Sequence, residues 1–172
     1  PDFPIGGRLL YDRAATEKIY ETGRGSFKVR GVYAYDKSQN CIDITEIPPT
    51  TTSEAIIEKV IELAKLKKIT EINDIRDETD LNGLKITIDL KRGADPEKLM
   101  KKVMKMTPLE DSFSCNFNIL IAGSPRVMGV KEIISEWVAF REECVRRRVY
   151  FKLSKAKDRL HLLKGLEKIL LD

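Results

Sequence analysis

The sequence predicts an α+β fold: a mostly antiparallel sheet with helices packed on it, followed by a long C-terminal helix. Three observations predict this. Four segments, Ser26–Tyr35, Cys41–Ile47, Leu84–Lys91 and Phe113–Ala122, alternate apolar and polar residues as half-buried strands do. They are joined mainly through short turns, so hairpins outnumber the long crossovers that parallel pairing requires. From Val130 to the C-terminus, apolar residues recur at steps of three and four with no intervening proline, the signature of one helix face.

Each element has its own signal. Pro1–Gly7 is rich in proline and glycine and is expected to be extended. Arg8–Gly25 reads as a short helix on Ala14, Ala15, Ile19 and Tyr20, ended by Gly23. Ser26–Tyr35 places Phe27, Val29, Tyr33 and Tyr35 on one face and is read as one strand. Asp36–Asn40 turns the chain into Cys41–Ile47, its hairpin partner. Thr52 or Ser53 then caps a helix running to about Lys68, with Glu54 in the favourable first turn.

Ile69–Arg76 is read as a strand, and Leu84–Lys91 as another with Leu84, Ile86, Ile88 and Leu90 on one face. In Arg92-Gly93-Ala94-Asp95-Pro96, Asp95 is the N-cap and Pro96 the first residue of a helix to about Met106. Phe113–Ala122 is the last long strand; Gly123-Ser124-Pro125 turns it, and Arg126–Met128 adds a short one. The segment from 130 onward would reach about 60 Å as a single helix. That exceeds the width of a domain of this size, so part of it should project. A break near Arg146–Phe151, where β-branched and aromatic residues cluster, is the alternative. These signals divide the chain into residues 1–129 and residues 130–172.

Composition sets the class. The 172 residues are 42% hydrophobic and 34% charged, enough for one core and a helix-rich surface. No stretch approaches the roughly 18 apolar residues of a membrane span, and no N-terminal segment reads as a signal peptide. Cys41, Cys115 and Cys144 are too far apart for a disulfide framework or a zinc site, so reduced thiols and a cytoplasmic setting are expected. His161 is the only histidine and reads as a surface residue. The chain starts at Pro1, which suggests a processed protein or a piece of a longer one.

The net charge of +4 lies wholly in the last 43 residues, with 11 Lys and Arg against 7 Asp and Glu. Two readings stand: a solvated helix face, or a basic helix beside a polyanion.

No catalytic constellation emerges: there is no phosphate-cradling loop with Lys-Ser/Thr and no Gly-x-Ser-x-Gly elbow. Glu78-x-Asp80-x-Asn82-Gly83, with Asp89 eleven residues after Glu78, approaches the calcium-loop spacing. Its first and last ligands are exchanged, and a strand follows where that motif needs a helix. It reads instead as a hairpin turn using Asn82-Gly83 to reach positive φ. No metal ligand is assigned. Gly23-Arg24-Gly25, followed by Lys28 and Arg30 on the polar face of the next strand, lets backbone and cations approach a phosphate chain closely; a solvated turn is the alternative.

An ordered set of segments then matches a known family. Pro1-Asp2-Phe3-Pro4-x-Gly6-Gly7, Tyr20-Glu21-Thr22-Gly23-Arg24-Gly25 and Thr45-Glu46-Ile47-Pro48 resemble the A subunit of bacterial type IIA DNA topoisomerases, DNA gyrase and topoisomerase IV. The resemblance continues through Ile75-Arg76-Asp77-Glu78-Thr79-Asp80-x-x-Gly83, Leu90-Lys91-Arg92-Gly93-Ala94-Asp95-Pro96, Lys131-Glu132-Ile133 and Arg146-Arg147-Arg148. It implies that residues 1–129 are the tower domain of the breakage-reunion core and residues 130–172 the first helix of a coiled-coil arm. The sequence departs from the pattern at Pro49-Thr50-Thr51, where the family often has Tyr-Gln-Val after Glu-Ile-Pro.

The resemblance also implies an ATP-dependent enzyme that cuts both DNA strands, passes a second duplex and reseals. Its nucleophile is a tyrosine that follows an arginine. None of Tyr11, Tyr20, Tyr33, Tyr35 or Tyr150 does so, and no catalytic residue is assigned. Magnesium and ATP belong to the partner subunit, so no cofactor is expected in this stretch. Implied partners are double-stranded DNA, a second copy of the A subunit, and the ATPase B subunit that completes a heterotetramer. Arg24, Lys28 and Arg30, then Lys91 and Arg92, are the candidate phosphate ligands. The alternatives are a mechanical spacer between the DNA gate and the exit gate, and an unrelated RNA-binding α+β domain. The latter lacks paired aromatics on a sheet face.

Overall fold

The computed structural model describes residues 3–171. Elements follow in the order β1 (Arg8–Leu10), α1 (Arg13–Thr22), β2 (Arg24–Arg30), β3 (Val32–Asp36), β4 (Cys41–Glu46), α2 (Ser53–Lys65) and β5 (Ile72–Asp77). Then come β6 (Ile86–Leu90), α3 (Pro96–Met106), β7 (Glu110–Asn116), β8 (Asn118–Ile121), β9 (Ser124–Val127) and α4 (Val130–Leu171). Every named strand pairing is antiparallel, so the class is α+β with a long C-terminal helix. The chain forms two compact units. One holds the chain up to Ile19 and Arg24–Asn116; the other holds Tyr20–Gly23 and the chain from Phe117 onward.

In the first unit a four-stranded sheet of order β3-β4-β6-β5 carries the core. Alternation puts Ile42 and Ile44 of β4 opposite Ile88 and Ile86 of β6, and all four are fully buried. They pack in one cluster with Ile56, Val60 and Leu63 of α2 and Leu99, Met100 and Val103 of α3. Each of those helices therefore buries one stripe against the sheet. Both begin where the sequence places a cap: Thr52 accepts the Ala55 N–H at 3.3 Å, and Asp95 accepts those of Glu97 and Lys98 at 3.0 and 3.2 Å.

The other face of this sheet is charged. Arg76 of β5 pairs with Asp74, Glu78 and Asp89, and Lys85 pairs with Glu78 and Asp43. Thr87 donates to Asp43 at 2.8 Å. Asp80, a calcium-ligand candidate by spacing, accepts from the Asn82 backbone and side-chain amides at 2.8 and 2.9 Å. The turn is centred on Leu81–Asn82, bridging Asp80 to Gly83. Gly83 takes the positive φ, +139°; Asn82 does not.

Two expected strands are divided. The alternation of Ser26–Tyr35 runs through Gly31, yet β2 and β3 belong to different sheets. A β-carbon on Gly31 would lie 2.5 Å from Leu109 Cδ1 and 2.8 Å from the Glu46 carbonyl oxygen. Only glycine lets the chain pass that point and change partners. Phe113–Ala122 divides at Phe117, whose N–H bonds the Gly23 carbonyl at 2.8 Å. β1 lies where the start of a helix was expected. Three residues are too few for alternation to show; it exists because β2 offers it an edge.

In the second unit α4 runs unbroken over 42 residues, about 63 Å at 1.5 Å per residue, and the expected alternative of a break near Arg146–Phe151 does not occur. None of its described side chains is fully buried. Among the described residues no helix is long and apolar enough to cross a membrane. The three cysteines are free; burial pushes the Cys41 and Cys115 thiols up.

Candidate nucleic-acid interface

The three-stranded sheet β1-β2-β7 gathers the first three candidate cations. Strand alternation puts Arg24, Ser26, Lys28 and Arg30 on one face of β2, and Phe27 and Val29 on the other. The back face is apolar and carries an aromatic pair that the sequence was not expected to place on a sheet: Phe27 stands opposite Phe113, and with Phe3 they cluster at ring-centroid distances of 5.0–6.3 Å, beside buried Val29. That packing fixes the register and turns the cations outward.

Register then adds residues that the strand alone does not reveal. Arg8 lies directly opposite Arg30, and Glu110 lies opposite Arg30 on the far side; Ser112 faces Lys28, Ser114 faces Ser26 and Asn116 faces Arg24. Among the described residues, this face thus sets three arginines and a lysine beside Glu110, with Ser26, Ser112, Ser114 and Asn116 around them and Leu10 on the β1 edge. Arg8 is exposed and belongs to this set. It escapes sequence reading because its strand is too short to alternate and only its pairing with β2 gives it a face.

Glu110 moderates the patch. Its carboxylate accepts from Arg30 Nε at 2.7 Å and Nη2 at 2.6 Å, and it lies 3.8 Å from Lys28 Nζ. Glu110 is 19% exposed, whereas Arg30 and Lys28 are 43% and 63% exposed. The carboxylate sits at the sheet surface and pins the guanidinium plane while both cations stay open to solvent. The Arg30 fork retains further donors in that plane, and a point charge such as Lys28 remains displaceable.

Lys91 and Arg92 lie elsewhere, in the loop between β6 of the four-stranded sheet and α3. Lys91 Nζ donates to the Thr70 carbonyl at 2.7 Å, which spends one of its donors on tying that loop to the start of β5. Arg92 is exposed beside Gly93 at φ +79°. Arg24, Lys28 and Arg30 therefore share a face, and Lys91 and Arg92 form a separate exposed pair. Among the described residues, no group of three or more His, Cys, Asp or Glu side chains is placed to hold a metal ion.

The arrangement offers cations in a row on a rigid sheet, with no nucleophile–base pair among them. Side chains two residues apart on a strand stand about 6.6–7 Å apart. That spacing suits successive phosphates of one nucleic-acid strand, and arginine forks and serine hydroxyls are ordinary phosphate ligands.

Comparison with known proteins shows the family. The family model for the A subunit of DNA gyrase/topoisomerase IV matches residues 1–172. The chain is 39% identical over 171 residues to the chloroplastic/mitochondrial DNA gyrase A subunit of Arabidopsis thaliana, covering 96% of the chain and 18% of that protein. It is 39% identical over 169 residues to the DNA gyrase A subunit of Granulibacter bethesdensis, covering 96% and 18%. With the DNA gyrase A subunit of Clostridium acetobutylicum it shares 37% identity over 175 residues, covering 100% and 21%. The chain spans about a fifth of the length of these relatives. A match running from the first residue to the last, on an antiparallel α+β unit followed by one unbroken helix, means that the chain belongs to the A-subunit family of DNA gyrase and topoisomerase IV.

Proposed function

We propose that this chain is the duplex-supporting stretch of a type II DNA topoisomerase breakage-reunion subunit, and that the polar face of β1-β2-β7 holds a DNA arm by its phosphates. The observation that carries this reading is the co-facial set Arg8, Arg24, Lys28 and Arg30 on a sheet whose other face is packed with aromatics. Contacts of this kind position a duplex without reading its sequence. Phosphate contacts carry no sequence information, so affinity should be alike across sequences.

The nucleophilic tyrosine, in this reading, lies outside the stretch. Magnesium and ATP are handled by the B subunit, and the working enzyme is a heterotetramer of two A and two B subunits.

The test replaces Arg8, Arg24, Lys28 and Arg30 with glutamine and follows binding of a labelled duplex of ~30 base pairs by fluorescence anisotropy across salt concentrations. At about −0.9 per phosphate contact, the log–log salt slope should become shallower by roughly 2–4. Glu110→Gln should do the reverse and tighten binding several-fold, because it releases Lys28 and Arg30 from their carboxylate. A second reading, a mechanical spacer with no DNA contact, is favoured by that same neutralisation of two cations by Glu110. Unchanged affinity and slope in both variants would remove the sheet face as a DNA contact, and no binding of the duplex by the parent chain at low salt would establish the spacer.

A further inference from the structure

α4 carries a second cationic surface, separate from the sheet. At 3.6 residues per turn, positions i, i+7, i+11, i+14 and i+18 return to one side of a helix within about 40°. Arg141, Arg148, Lys152, Lys155 and Arg159 hold these positions on a helix that is unbroken from Val130 to Leu171. All five are exposed.

The rest of the charge on α4 is distributed differently. Its described residues include 11 lysines and arginines and 6 acidic residues. Removing the stripe leaves six cations, Lys131, Arg146, Arg147, Lys157, Lys164 and Lys168, against six carboxylates. The stripe therefore contains the helix's entire excess charge, and no acidic residue falls on its line. The ion pair of Arg147 with Glu143, at 3.7 Å, lies off it. Lys155 leans over the Phe151 ring at 5.8 Å, a contact that leaves its charge intact.

A solvated helix usually intersperses both signs, since opposite charges three and four residues apart stabilise it. Here one side carries cations alone, while the rest of the helix intersperses six cations with six carboxylates, Asp158 among them three residues beyond Lys155. Five like charges along about 27 Å repel one another unless an anion of matching length lies beside them. A duplex presents one charge per ~1.7 Å of its axis, so about eight base pairs run alongside the stripe.

We infer that the Arg141–Arg159 stripe of α4 is a second duplex-DNA binding surface, used independently of the sheet face. The stripe's charge pattern points to a linear polyanion, and the choice of duplex DNA rests on the duplex-supporting function proposed for this chain.

The test uses the full chain, the same labelled ~30-base-pair duplex and three variants. One replaces the five stripe residues with glutamine. A second replaces Arg146, Arg147, Lys157, Lys164 and Lys168, on the opposite side, with glutamine, giving the same net charge. The third is R141K/R148K/R159K, which keeps the charge. Helix content is checked by far-ultraviolet circular dichroism.

The stripe variant should bind at least tenfold more weakly at about 50 mM salt and lose about 3–4 from its salt slope, at ~0.9 per contact. The opposite-side variant should lose about 1 or less, and the lysine variant should keep the full slope. Equal losses in the two glutamine variants would overturn the inference, as would no loss in either. It would also fall if single-stranded RNA or polyglutamate competed as well as unlabelled duplex. Measured beside the sheet-face variant, the two readings fail separately. Loss only in the sheet variant removes the stripe and keeps the sheet; loss only in the stripe variant does the opposite.

Discussion

A β-carbon on Gly129 would lie 2.2 Å from the Glu21 carbonyl oxygen and 2.7 Å from that of Tyr20. One on Gly23 would lie 2.2 Å from the Met128 carbonyl oxygen, and Gly23 also sits at φ +71°. Two glycines therefore let residues 20–23 cross residues 128–129 with backbone against backbone. The obstacles are carbonyl groups, which cannot turn aside as a flexible side chain can. Gly129→Ala should cost about 1–3 kcal/mol, the range for forced overpacking. Urea unfolding followed by circular dichroism measures this. A variant as stable as the parent would show that the crossing can open without loss.

The charged face of the four-stranded sheet acts at the scale of elements, because it ties β4, β5 and β6 through side chains. The Lys85 ammonium, then Thr87 and Arg76, hold the Glu78 carboxyl below the usual glutamate range. Asp89 foremost pushes the Arg76 guanidinium up, and Glu78 foremost pushes Lys85 up. A carboxylate favoured in the folded state stabilises it above its unfolded pKa of about 4.3, and that contribution is lost as pH falls through the lower folded value. The raised Lys85 contributes below about pH 10.4 and is lost as pH rises beyond that. Stability should thus hold level across neutral pH and fall on acidification below about pH 4. Glu78→Gln should flatten that acid limb in thermal melts, and about 0.5 M salt should shrink the difference between the two proteins, because the network is open to solvent. An identical acid limb in Glu78→Gln would assign it to other carboxylates.

At the scale of the whole molecule, order is maintained in two different ways. In the first unit, residues such as Ile42, Ile44, Ile86 and Ile88 are fully buried and their strands open only with the core. In α4 none of the described side chains is fully buried, so its hydrogen bonds can open locally. Hydrogen exchange measured peptide by peptide should show α4 amides beyond about residue 140 exchanging at least tenfold faster than those of β4 and β6. Protection of α4 equal to that of β4 would show that a second copy covers it in solution. Bound duplex should slow exchange on the Arg141–Arg159 segment in particular.

Secondary structure was largely legible in the sequence because its signals are local. Periods of two and of 3.6, the caps Thr52 and Asp95, and the stop at Gly23 act within a few residues, and each appears where its chemistry requires. The charge excess of the last 43 residues was legible too, but the stripe was not, because its common azimuth needs a helix unbroken through Arg146–Phe151, which the sequence left open. Strand partnership was not. Alternation runs unchanged through Gly31 and Phe117, so the sequence showed one strand where the chain changes sheets. The change depends on Leu109 and Gly23, which are remote in sequence and meet these residues only in the folded chain. The same holds for the candidate interface. Sequence alone placed Arg24, Lys28 and Arg30 on one face of a strand. Only the antiparallel register, a property of three separate segments packed over Phe27 and Phe113, set Arg8 beside them and Glu110 against them.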